Sequence, residues 1–225
     1  MIEDFVVRAQ GVARTFGHGP AAVVAVHGVS CALRAGEQVA LVGASGSGKT
    51  TLLHLLAGLD RPTVGVVDWP SLGHIEHLRP GPIAVVFQGQ SLLPPLDAVE
   101  NVELPLLLQG VDRHTARSAA VAALQRLGLE NVASKLPEEL SGGQSQRVAI
   151  ARVLAGKPRL ILADEPTGQL DHPSATRVID ALIESASAIG AALIVNTHDS
   201  AISDRFPFRW SMAGGRLLQE VATPC

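Results

Sequence analysis

Glu37-Gln38-Val39-Ala40-Leu41-Val42-Gly43-Ala44-Ser45-Gly46-Ser47-Gly48-Lys49-Thr50 decides the fold. Its first six residues form a short, nearly continuous apolar run ending in glycine, the pattern of a parallel strand buried on both faces. The next eight fit G-x-x-x-x-G-K-[ST]. Gly48 to Gly58 then reads as a helix, with Leu52, Leu53, Leu55 and Leu56 on its apolar face and Gly58 as its stop. Strand, glycine loop and helix in that order distinguish a phosphate-binding loop from an ordinary Gly/Ser turn. The glycines let consecutive N–H groups turn inward as an anion nest, and the helix start adds its positive dipole end. Lys49 supplies a flexible charge for the β- and γ-phosphates, and the Thr50 hydroxyl is the expected Mg²⁺ ligand.

Downstream, Leu160-Ile161-Leu162-Ala163-Asp164-Glu165 is an apolar strand ending in two carboxylates. Asp164 is expected to hold Mg²⁺, through a water, and Glu165 is the natural general base for an attacking water. Between the loop and this strand lies Leu140-Ser141-Gly142-Gly143-Gln144, followed by the helical run Ser145 to Ala155. Leu140 would anchor it while the glycines expose backbone donors at a helix start, a second anion site.

Together these motifs resemble those of ABC-type ATPases, the energising cassettes of membrane transporters, and the resemblance spans nearly the whole chain. It implies an α/β fold: a P-loop NTPase (RecA-like) core with a mostly parallel sheet, an N-terminal antiparallel β-subdomain and an inserted helical subdomain. Residues 1–90 and 156–225 would form the nucleotide-binding core with its β-subdomain, and 91–155 the helical subdomain ending in the signature helix. ATP and Mg²⁺ are the implied cofactors. Gly43, Ala44, Ser45, Gly46, Ser47, Gly48, Lys49, Thr50 and Thr51 would hold one nucleotide, while Ser141, Gly142, Gly143 and Gln144 reach the γ-phosphate bound by a second copy. Such reciprocal pairing is two-fold and isologous. Gln88 would touch the metal or the lytic water and report to the membrane partner. His198 corresponds to the switch histidine that holds Glu165 and water. Phe16 is the candidate for stacking on adenine, a position often Tyr in this family. Asp171 resembles the aspartate that touches the opposite copy.

Local strings narrow the resemblance. His54 to Thr63, Ser91-Leu92-Leu93-Pro94 with Glu100-Asn101-Val102, and Ala163 to Gly168 look like the bacterial branch serving lipoprotein release, macrolide efflux and cell division. Two departures stand out: the segment between Pro62 and Phe87 is short for the family, and Gln169 stands where Asn is common. The rivals are a soluble ABC-type ATPase of repair, translation or cluster assembly, and a cell-division ATPase that moves no solute. Against the repair type, only about 50 residues, without sustained heptads, separate Gln88 from the signature.

The remaining chain reads as strands over Phe5 to Gln10, Val23 to Val26, Val29 to Leu33, Ile83 to Phe87 and Ala192 to Val195, with a final hairpin around Gly214-Gly215. Arg61 to Pro82, rich in Pro, Gly and His, reads as a connector with one or two short strands. From Ser91 to Ala155 the period is helical, with Asp97 and Asp112 as caps, and a further helix covers Ser174 to Ala188. The 225 residues suit one domain, and the formal charge of -3, with scattered Lys and Arg, argues against a nucleic-acid partner. Cys31 and Cys225 lack metal-like spacing and fit a reducing compartment, and His74-Ile75-Glu76-His77 lacks further ligands. Met1-Ile2-Glu3-Asp4 is acidic where a leader would be basic, and no apolar run reaches the roughly 18–20 residues needed to span a bilayer. The expected place is the cytoplasmic face of the plasma (inner) membrane, held there by an integral membrane permease subunit.

Overall fold

Alternation of apolar side chains across strands sorts this chain into two sheets with a core on each side of the larger one. The structure, a computed structural model, describes residues 5–222 apart from positions 90 and 169, with side chains described to 218. Cys225, Gln169 and the first four residues thus lie outside the described residues. Strands β1 (Phe5–Phe16) and β2 (Val23–Arg34) pair antiparallel. After β3 (Gln38–Val42) has joined the other sheet, β4 (Val64–Asp68) pairs with β1, in the order β2-β1-β4. The two short strands expected over Val23 to Val26 and Val29 to Leu33 are one. Gly28 takes a φ of 60° and absorbs a register shift as a bulge, which bends a strand without ending it.

The larger sheet adds β5 (Ile83–Val86), β6 (Leu160–Asp164), β7 (Ala192–Asn196), β8 (Phe208–Ala213) and β9 (Arg216–Ala222), in the order β5-β6-β7-β3-β8-β9. All its pairings are parallel except the final hairpin β8–β9, which turns at Gly214 and Gly215. Helix α1 (Lys49–Leu56) lies between the two sheets, its four leucines fully buried against Val6, Val12 and Val26 on one side and Leu41, Leu160, Leu162 and Ile194 on the other. Ile161, Ala163, Leu193 and Val195 point to the opposite face, as a period of two requires. There they meet α2 (Ala98–Leu108), α3 (Arg113–Arg126), α4 (Gly142–Ala155) and α5 (His172–Ile189) in one continuous apolar cluster. Helix α4 packs on α2 and α3 and also on α5 and β5, so it joins the helical segment to the sheet. A short helix α6 (Ser200–Ser203) follows β7. Among the described residues no helix is long and apolar enough to cross a membrane.

The helix starts follow from their caps. Asp97 and Glu100 form a reciprocal box on α2, with bonds of 2.8 and 3.0 Å, and Asp112 caps α3 by accepting from Thr115 N. Hydrogen bonds from the Thr115 side chain and then its backbone hold the exposed Asp112 carboxyl below its usual value.

The loop between β5 and α2 is fixed by Asn101, which is fully buried. Its Oδ1 accepts from Leu93 N at 2.7 Å, and its Nδ2 donates to the carbonyls of Leu93, Leu96 and Asp97. Truncation removes all four of these bonds from a buried position, so Asn101→Ala should cost about 1–3 kcal/mol of unfolding free energy. A lowered urea midpoint at unchanged slope would show this; a change within about 0.5 kcal/mol, as at an ordinary surface site, would contradict it.

Candidate functional site

The parallel register brings the strand ends together. Leu41 pairs with Asn196 and Asn196 with Asp164, so β3, β7 and β6 end side by side. In open α/β sheets the crevice outside the carboxyl ends of the strands is where ligands bind. The chain leaves β3 into the glycine loop, where Gly43 has φ 154° and Gly48 φ 96°. A Cβ at Gly43 would lie 2.2 Å from Met212 O, and one at Gly48 would lie 2.2 Å from Ala25 O. Both glycines are therefore required by close backbone approach as well as by conformation. The C-terminal hairpin braces the loop from behind, since Gly215 N donates to Ser47 O at 3.0 Å.

Lys49 is only 5% exposed, and its Nζ donates to Gly43 O at 2.8 Å and Ala44 O at 3.0 Å. Among the described residues no carboxylate lies within ion-pair distance of it. Helix α1 makes its first internal bond from Leu52 N to Gly48 O, so the N–H groups of Lys49, Thr50 and Thr51 have no acceptor within the helix. Ser45 and Gly46 are exposed at the loop's tip, and the buried Ser47 Oγ has no hydrogen-bond partner. A buried cation met only by carbonyls, beside free helix donors, fits a polyanion.

Across from the loop, Asp164 is 5% exposed and its Oδ1 accepts from Thr50 Oγ1 at 3.1 Å and from Asn196 Nδ2. Glu165 begins the turn with φ 43°, a conformation that costs a non-glycine residue about 1–3 kcal/mol. Backbone bonds hold it there: its N–H donates to Asn196 O at 3.0 Å, and its carbonyl accepts from Gly168 N at 3.2 Å. Its two carboxylate oxygens face different partners. Gln88 Nε2 donates to Oε2 at 3.0 Å, and His198 Nδ1 lies 3.4 Å from Oε1. Glu165 and His198 line an open cavity of about 190 Å³ with Thr167, Gly168, His172 and Thr197.

Phe16 ends β1 and is 43% exposed, which leaves a ring face open for stacking. The Arg14 guanidinium lies 4.6 Å from its ring centre and is itself paired to Asp60 at 2.7 Å. Phe16 pairs with Val23, two residues along β2 from the Ala25 carbonyl that abuts Gly48, so about 7 Å separates the two levels of the strand.

The signature residues form a separate group. Ser141 caps α4: its Oγ accepts from Gln144 N at 3.3 Å, while Ser141 N donates to Gln144 Oε1 at 2.9 Å. The helix therefore starts at Gly142, three residues before the expected Ser145, because this box satisfies its first turn. Gly143 lies against Leu170. Among the described residues no hydrogen bond or ion pair joins Ser141, Gly142, Gly143 or Gln144 to the glycine loop. Asp171 occupies the N-cap position of α5 with an exposed side chain that makes no cap bond.

Two contributors escaped the sequence reading. Asn196 was visible only as the polar end of an apolar strand, and its pairing with Asp164 depends on register. The left-handed Glu165 left a weaker trace in the Pro166-Thr167-Gly168 turn that follows it.

Comparison with known proteins accords with this geometry. The family model for the ABC transporter domain matches residues 26–168. The lipoprotein-releasing system ATP-binding protein LolD of Legionella pneumophila (strain Paris) is 40% identical over 211 residues, covering 91% of this chain and 93% of the relative. LolD of Shewanella sp. (strain MR-4) is 40% identical, covering 98% of each chain. A bacterial ABC transporter cassette solved as a dimer superposes with a TM-score of 0.88 at 34% identity, covering 97% of this chain and 99% of that one. A dimeric post-hydrolysis cassette bound to ADP and Pi superposes with a TM-score of 0.86 at 34% identity and the same coverage. By sequence and by fold alike, the chain belongs to the ABC transporter family.

Proposed function

We propose that this chain is the ATP-binding and ATP-hydrolysing subunit of an ABC transporter of the lipoprotein-release type, working as a dimer that drives a separate membrane-spanning partner. The observation that carries the reading is the Glu165 carboxylate, held between Gln88 and His198 beside the Thr50–Asp164 pair and across from the buried Lys49. Support comes from relatives named as lipoprotein-releasing ATP-binding proteins, matched over nearly their full length, and from a dimeric neighbour holding ADP and Pi. These relatives favour a transporter subunit over a soluble repair, translation or cluster-assembly ATPase.

In this reading residues 91–155 form the helical subdomain and the remainder the nucleotide-binding core. Lys49 exchanges its carbonyl partners for phosphate oxygens, a stronger charge-assisted bond. The amides of Gly43 to Thr51 cradle the phosphates, and Phe16 stacks on the base. Thr50, Asp164 and Gln88 are the oxygen donors that would hold Mg²⁺, whose charge neutralises the phosphates. Glu165 accepts a proton from water in the adjoining cavity, and His198 steadies the carboxylate. Because a hydroxyl donates and accepts at once, Ser141 can cap α4 with a lone pair and still give its proton to the γ-phosphate on the second copy. The Asp171 side chain, which makes no cap bond to its own helix, is available to that copy as well.

The membrane partner has a fitting surface. An apolar groove of about 370 Å³ runs past Leu59, Phe87, Leu104, Pro105, Leu108 and Val153, and Phe87 immediately precedes Gln88. Leu59, Phe87 and Leu108 are all exposed along it, a grouped apolar surface suited to such a contact. A permease segment seated in it would hold the subunit at the cytoplasmic face of the membrane.

Two experiments test the assignments. Glu165→Gln should still bind ATP and dimerise while losing about 10²–10⁴-fold in turnover; hydrolysis at the normal rate would remove Glu165 from the reaction. Phe16→Ala should raise KM for ATP by about 3–10-fold with kcat nearly unchanged, and Phe16→Trp should restore it. An unaltered KM in Phe16→Ala would exclude stacking.

A further inference from the structure

Asn196 breaks the pattern of its strand. Ala192, Leu193, Ile194 and Val195 precede it on β7, and all are fully buried apolar residues. By the period of two, its side chain shares a face with Ile194 and, on the neighbouring strand, with Leu162 and Asp164, the face that packs on α1. An amide is unfavourable there. Asn196 is only 1% exposed, and among the described residues its Oδ1 has no hydrogen-bond partner. An apolar side chain of similar size would fill the position without stranding a polar atom. What the amide contributes instead is one bond, from its Nδ2 to Asp164 Oδ1.

That bond fixes a carboxylate that would otherwise have a single tether. Asp164 Oδ1 accepts from both the Asn196 amide and the Thr50 hydroxyl, whereas Oδ2 accepts no hydrogen bond among the described residues. One carboxylate oxygen is thus held and the other left uncommitted. Thr50 is a poor sole anchor, because its oxygen is itself a candidate metal ligand. One carboxylate and one hydroxyl suit Mg²⁺, which keeps most of its waters and takes few protein oxygens. Neighbours that orient a metal ligand matter: losing one typically lowers metal affinity by about 10–100-fold. The backbone carbonyl of Asn196 holds the Glu165 N–H separately, at 3.0 Å, so the side chain can be changed while that bond stays.

We propose that Asn196 is a positioning residue that locks the Asp164 carboxylate by one oxygen and leaves the other for the cation, so that β7 helps to set how much Mg²⁺ the nucleotide site needs. The proposal rests on the ATPase reading above. Asn196 touches neither nucleotide nor metal in this scheme; it acts through Asp164. The buried amide is retained at the expense of packing because the carboxylate beside it has to face one way.

The test uses the full chain with Asn196→Leu, Asn196→Ala, Asp164→Asn and a double variant carrying Asn196→Leu and Asp164→Asn. Binding of a fluorescent ATP analogue is titrated in excess chelator and again at rising Mg²⁺, and the melting temperature of each nucleotide-free variant is measured. Asn196→Leu should raise the Mg²⁺ needed for half-maximal analogue binding by about tenfold, with binding in chelator within about twofold of wild type. Its melting temperature should be equal or higher, since no polar atom of residue 196 is then buried unpaired. Adding Asn196→Leu to Asp164→Asn should alter the Mg²⁺ requirement no further, because both changes act on one ligand. An unchanged Mg²⁺ requirement in Asn196→Leu would overturn the proposal. So would losses that multiply in the double variant, or a lowered melting temperature with binding weakened equally in chelator, the mark of a merely structural role. If Asn196→Leu does not fold, Asn196→Ala decides by the same Mg²⁺ criterion. A wild-type chain that fails to bind the analogue, or binds it without regard to Mg²⁺, would sink the ATPase reading and this inference with it. A wild type that responds to Mg²⁺ beside an Asn196→Leu that responds identically would sink the inference alone.

Discussion

Parallel pairing of β3, β7 and β6 in one register is the constraint on which the site depends. With Leu41, Asn196 and Asp164 aligned across neighbouring strands, the glycine loop and the acidic turn leave the sheet at the same level. Thr50 can then reach Asp164, and Asn196 can donate its side-chain amide to Asp164 while its backbone carbonyl accepts from the Glu165 N–H. A slip of one residue would turn Asn196 toward the other face and bury its amide among leucines and valines. The apolar runs on both sides of β6 and β7 prevent such a slip, since each face already fills a core.

Around that register the protein holds groups in states that would be unfavourable alone. Lys49 is buried against carbonyls, Glu165 sits in a left-handed conformation, and Gly43 and Gly48 exclude any side chain. Each is sustained by neighbours that are part of the fold: the Gly214–Gly215 hairpin behind the loop, and the Asn196 carbonyl and Gly168 amide at the turn. Strain gathered in a few residues whose surroundings over-determine them is a property of functional sites. Here it fixes a buried positive charge at the glycine loop and a carboxylate beside an open cavity before any ligand arrives, the preorganisation on which electrostatic catalysis relies.

Much of this was legible in the sequence where the chemistry is local. Gly43 to Thr50 and Leu140 to Gln144 are each one uninterrupted segment, and strand–loop–helix context can be read from the same residues. Asp164, Glu165 and His198 were found because each ends a recognisable apolar strand. The less legible features depend on distant segments meeting. The Asn196–Asp164 bond follows from strand order, and Arg14 over Phe16 from its tie to Asp60. The merged strand β2 shows the opposite error, in which His27 and Gly28 read as an interruption although glycine only bulges the strand.

In the proposed function a buried cation and a fixed carboxylate await a nucleotide whose site is completed by a second copy. A high-resolution structure of the chain saturated with ATP, in a form unable to hydrolyse it, tests this most directly. In it, Lys49 Nζ should have left the Gly43 and Ala44 carbonyls for phosphate oxygens, while Ser141 of the second copy bonds the same nucleotide. A bound ATP with Lys49 still on its own loop, or with Ser141 facing solvent in the saturated complex, would contradict it.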